Sequence, residues 1–161
     1  MAEETNNISL SSKKTFTIDG DLTRTIQLDT SDMNVLVRLD EVYEEIQKLA
    51  VDAGNRIVAS KTGEGEEMDE ASLRELSNVL RDIDKQMREK MNYIFASDIA
   101  DACEPKGNMY DPVGGEFRFE HIIGVIAGLY ANNITAEFKK MQERVKKHTQ
   151  KYTSGSKRNR K

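Results

Sequence analysis

The sequence predicts a mainly α fold of the α+β class, an N-terminal β-hairpin packed on a bundle of three to four helices. Three observations point there. Residues 14–28 alternate apolar and polar side chains around an Asp-Gly turn. Three later segments repeat apolar residues at spacings of three and four. Stretches bearing glycine or proline separate those segments.

In chain order, Lys14 to Asp19 places Phe16 and Ile18 on one face, and Thr23 to Leu28 places Ile26 and Leu28 together. Asp19-Gly20-Asp21 joins them, with a glycine that takes positive φ at little cost. An isolated hairpin is marginal in water, so this one is expected to pack on the helices or pair with another chain. Helix one starts near Ser31 or Asp32, either a suitable cap. Its stripe is Leu36, Leu39, Tyr43, Ile46 and Ala50, widened by Val42 and Leu49, and it is expected to end near Gly54. Ser60 to Asp69 reads as a linker.

Helix two runs from about Glu70 through Leu73, Leu76, Leu80, Ile83, Met87, Met91 and Ile94, the most regular pattern in the chain. A short helical turn is expected between Ser97 and Cys103, then a structured loop from Pro105 to Gly115. Helix three begins near Glu116 or Phe117 with a broad face of Phe119, Ile122, Ile123, Ile126, Leu129 and Tyr130. Asn132 and Asn133 interrupt it before Ile134, Phe138, Met141 and Val145 resume the spacing. One long helix with a bend and two successive helices both fit. The expected division is a disordered N-terminus over 1–12, a domain over 13–150 and a disordered basic tail over 151–161.

Composition narrows the function. With 37% hydrophobic and 32% charged residues among 161, the chain can build a core, but a thin one, aliphatic and methionine-rich. The absence of tryptophan disfavours a large aromatic ligand pocket. One cysteine forms no internal disulfide and fits a reducing compartment. Met1 to Ser12 does not read as a signal peptide, and Ile122 to Ala131 is about half of the ~20 residues that cross a bilayer. The expected location is the cytoplasm, with no membrane partner. Charge is uneven: residues 137–161 hold ten Lys/Arg against two Glu, a net of +8, and the rest carries −12.

Chemistry is sparse. His121 reads as a partly buried histidine beside the 105–115 loop, and His148 as a solvated one among lysines. Cys103, between Asp101 and Glu104, lacks the electropositive setting of a nucleophile and reads as structural. One cysteine and two histidines have no zinc-ligand spacing. Glu64, Glu66, Glu67, Asp69 and Glu70 lack the spacing of a calcium loop, and Gly114-Gly115 lacks the company of a phosphate cradle. No catalytic, metal or cofactor residue is expected. Lys157, Arg158, Arg160 and Lys161 form a solubilising or acidic-partner tail, or contact phosphates. The −12 of the remaining chain disfavours nucleic acid. Two or three helices and a hairpin leave little cover for every apolar face. The candidate partner-binding residues are therefore Met87, Met91, Phe95, Ile134, Phe138 and Met141.

Residues 91–123, MNYIFASDIADACEPKGNMYDPVGGEFRFEHII, resemble a group of small proteins encoded by phages and prophages of Gram-positive bacteria. The resemblance is carried by Tyr93-Ile94-Phe95, Asp98 to Cys103, Met109-Tyr110-Asp111-Pro112 and Phe117 to His121, with the Phe-Thr-Ile-Asp-Gly hairpin. Those proteins look like tail assembly chaperones. The resemblance implies a non-enzymatic role: keeping a long tape-measure helix soluble while tail-tube subunits assemble. A homo-oligomer is a separate expectation from the uncovered apolar faces. The alternatives are a structural tail or head-completion component of the virion, and a small nucleic-acid-associated regulator using the basic tail.

Overall fold

The computed structural model describes residues 8–10, 12–61 and 68–156, with side chains through 150 apart from Lys61. The expected class holds: an antiparallel hairpin followed by helices. Strands β1 (Lys14–Ile18) and β2 (Asp21–Leu28) pair around Asp19 and Gly20. Both turn residues have positive φ, 52° and 70°, matching the twist of the strands. Register shifts after Thr17, which pairs with Thr25 while Ile18 pairs with Asp21. That irregularity leaves Arg24 free to reach across, where it donates to the carbonyls of Ala102 and Cys103 at 2.9 and 3.0 Å. Ser12 donates to Asp29 at 2.7 Å, so contacts begin inside the expected 1–12 tail; residues 1–7 and 11 lie outside the described residues.

Helix α1 spans Asn34–Lys61. Of its two candidate caps Asp32 takes the role, accepting from the Asn34 amide at 3.0 Å and binding Arg38 at 2.6 Å. Ser31 is engaged by Asp29. The helix does not stop at Gly54. Ala53 is buried beyond Ala50 and Ile57 packs on the core, so the apolar stripe continues and outweighs the ~1 kcal/mol that an interior glycine costs. Ser60 and Lys61 therefore belong to α1; residues 62–67 of the expected linker lie outside the described residues.

Helix α2 (Glu70–Phe95) begins at Asp69, whose carboxylate accepts from the Ser72 amide at 2.7 Å. It ends on Ala96 in the left-handed region, φ 48°. Helix α3 (Ile99–Cys103) follows. The loop after it contains a second hairpin that the periodicity does not announce: β3 (Pro112–Val113) and β4 (Glu116–Phe117), joined by Gly114 and Gly115 at φ 59° and 85°. Helix α4 (Arg118–Ser156) is one continuous element of 39 residues, about 58 Å long. Asn132 and Asn133 do not divide it, and residues 151–156, expected in the tail, belong to it.

Leu28, Ile46, Met87, Met91, Ile94, Ile99, Met109 and Phe119 are fully enclosed. Phe119 stacks on Phe117 at 5.8 Å and meets Tyr43 at 6.0 Å, and Phe95 meets Tyr130 at 5.7 Å. These contacts hold the first half of α4 against α1 and α2.

Candidate partner-binding surface

The 104–118 loop sets the direction of α4 through a latch of charged groups. Arg88 binds Asp84 and Asp101, each at 2.8 Å, and donates to the Gly107 carbonyl at 2.6 Å. The second oxygen of Asp84 accepts from the Met109 amide at 2.7 Å. Glu104 accepts from the Gly107 amide at 2.7 Å and pairs with Arg118 at the start of α4. The hydrogen bond donated by the Gly107 amide, then that from Lys106 and the charge of Arg118, hold the Glu104 carboxyl below its usual range against the opposing effect of burial. A Cβ at Gly107 would lie 3.0 Å from the side chains of Asp111 and Glu104, so any larger residue there would press on the carboxylates of the latch.

From this latch the buried face of α4 runs through Phe119, Ile123, Ile126 and Tyr130. It carries on through Ile134, half-buried, to Phe138, Met141 and Val145, which are 44%, 55% and 64% exposed. The spacings are unchanged; the body beneath has ended. Asn133 marks the point of departure, donating to the Thr30 carbonyl at 3.2 Å and accepting from Lys14 at 3.1 Å. Every residue from 135 to 150 is exposed. Where α4 leaves the body it forms a groove of about 500 Å³, lined chiefly by Thr30, Met33, Asn133, Ile134, Phe138 and Met141. Further hollows follow the same face past Val145.

The six candidate residues thus divide. Ile134, Phe138 and Met141 lie together on the groove. Met87, Met91 and Phe95 do not belong to a partner surface: at 0%, 0% and 3% exposure they are enclosed by their own chain. Their stripe on α2 is the face covered by α1, α3 and the latch loop, and flexible methionines fill that irregular interior. Sequence reasoning missed Met33, which precedes α1 and fits no stripe, and Asn133, whose polar side chain within an apolar run was the available signal. Lys157, Arg158, Arg160 and Lys161 lie outside the described residues.

The other chemistry-bearing residues are placed as follows. His121 is exposed rather than partly buried, because it falls on the outer face of the first turns of α4. Burial pushes the Cys103 thiol up, with Asp19 and Glu104 adding to it and Arg24 opposing, so the nucleophilic thiolate is disfavoured. Asp69 caps α2, and Glu70 pairs with Arg74 at 3.3 Å. Among the described residues, no group of three or more His, Cys, Asp or Glu side chains is placed to hold a metal ion. None of their helices is long and apolar enough to cross a membrane. No known protein family, curated protein or solved structure matches this chain.

Proposed function

We propose that the protein is a non-enzymatic tail assembly chaperone of a phage or prophage, acting in the bacterial cytoplasm on the tape-measure protein. The observation that carries the reading is the exposed run of Phe138, Met141 and Val145 on a helix that has left its own core. Covering the exposed half or so of one such side chain stabilises a complex by about 1 kcal/mol before the cost of association. Several copies spaced along a repetitive apolar client gain further through avidity. The resemblance of residues 91–123 supports the same reading from another side: those residues supply Asp101, Glu104, Gly107, Met109 and Arg118 of the latch and the start of α4, the parts that aim the projecting segment.

In mechanism, the acidic body keeps the complex dispersed while the α4 groove screens a helical stretch of client from its neighbours. Tail-tube subunits would displace the chaperone as they enclose the client. The test is co-expression with a phage tape-measure protein as the candidate client. The wild-type chain is expected to shift that client into the soluble fraction, and the Phe138→Ser/Met141→Ser variant to fail. A client equally insoluble with and without the wild-type chain would refute the proposal.

A further inference from the structure

We infer that the occupant of the projecting α4 face is an acidic amphipathic helix whose apolar residues repeat at alternating spacings of three and four. This rests on the reading of that face as the client-binding surface, and it names the chemistry of the segment bound. Ile134, Phe138, Met141 and Val145 are separated by four, three and four residues, the a/d spacing of a seam that takes another helix. An extended strand would match period two, and a bulky small molecule would need an enclosed pocket. The face is instead a long open groove, with hollows succeeding one another along the helix axis.

Charge selects the sign of that helix. Residues 137–150 carry Lys139, Lys140, Arg144, Lys146 and Lys147 against Glu137 and Glu143. Glu137 is already paired with Lys140 at 3.3 Å. Arg144 and Lys146 flank the seam beside Val145, Gln142 adds no charge there, and Glu137 flanks it beside Phe138. Of the charges on 137–150 only Glu137, Arg144 and Lys146 line the groove and the hollows that continue it, joined by Lys14 of β1, three cations against one carboxylate, while the other charges turn toward the far face of the helix. Acidic flanks on the partner are therefore attracted and basic flanks repelled. The same charges argue against a second copy seated seam to seam, because each copy would bring the same cationic excess.

The test uses full-length protein and three designed helical peptides of about four heptads, alike in length. One has Leu at a and d with Glu at e and g. The second replaces those Glu by Lys, and the third keeps Glu but replaces the seam Leu by Ser. Binding is followed by fluorescence anisotropy at about 0.05 M and about 0.5 M NaCl. The Glu peptide is expected to bind at least about tenfold tighter than either other, with the margin over the Lys peptide shrinking in high salt. Phe138→Ser/Met141→Ser is expected to abolish Glu-peptide binding, and Arg144→Glu to narrow the Glu-over-Lys preference, both with unchanged circular dichroism. Equal binding of the Glu and Lys peptides would overturn the inference. So would a dimer in light scattering that Phe138→Ser/Met141→Ser converts to monomer, because the seam would then belong to a second copy. If the chain solubilises the tape-measure protein yet ignores peptide charge, the inference falls and the chaperone reading stands. If it selects the Glu peptide yet leaves that protein insoluble, the chaperone reading falls and the partner chemistry stands.

Discussion

Tyr130 shows how tightly the body of this molecule is closed at the level of single side chains. Its ring packs on Phe95, and its hydroxyl is buried with no hydrogen-bond partner among the described residues. Burial, reinforced by Asp32 and Asp29 and opposed by Arg38, pushes that hydroxyl up to about 12. Stripping water from a hydroxyl without replacing the bond costs about 1–3 kcal/mol. Tyr130→Phe, which keeps the ring, is accordingly expected to leave stability unchanged or raise it by about 1 kcal/mol in urea unfolding. Glu104 is the opposite case, a carboxylate that accepts from the Lys106 and Gly107 amides and from Arg118. Its folded value lies below the ordinary glutamate value of 4.5. Its contribution is therefore complete above that range and is lost as pH falls through the lower folded value. Urea midpoints measured from pH 7 downward should converge for wild type and Glu104→Gln at the acid end, with wild type higher near neutrality.

At the scale of elements, two helix positions invite opposite exchanges. Gly54 lies inside α1, and a Cβ there would meet nothing within 4 Å. Gly54→Ala should stabilise the protein by about 0.5–1 kcal/mol. Ala96 closes α2 at φ 48°, where a Cβ is strained, so Ala96→Gly should stabilise it by about 1 kcal/mol. Thermal unfolding of the two variants checks both signs. These same positions show what the amino-acid order makes legible. The hairpin, the regular stripe of α2 and the start of each long helix follow from local spacing and caps. The end of α1 does not, because Ala53 and Ile57 outvote Gly54 only once the core has closed over them. The 112–117 hairpin does not either, since its strands are two residues long and too short for any alternation. Half of the candidate surface was legible for the same reason. Spacing identifies an apolar stripe, but it cannot say that the stripe of Met87 and Met91 is covered while that of Phe138 and Met141 has outrun its cover.

For the molecule as a whole, α4 divides into a half that builds the core and a half that leaves it. Residues 118–134 contribute Phe119, Ile123, Ile126 and Tyr130 to the interior, whereas 135–150 are exposed throughout. A chain ending at residue 136 is therefore expected to unfold within about 3 °C of the full chain, a shift near or below 1 kcal/mol. The same truncation should lose partner binding entirely, which calorimetry and the peptide assay measure side by side. The division is tested most directly by residue-resolved amide hydrogen exchange along α4, free and with the proposed tape-measure client. In the free protein, protection should be high through Tyr130 and fall steeply beyond Ile134. Client should then slow exchange across 137–150 while leaving 118–130 unchanged. Equal protection along the whole helix in the free protein, or no response in 137–150 to bound client, would contradict the account.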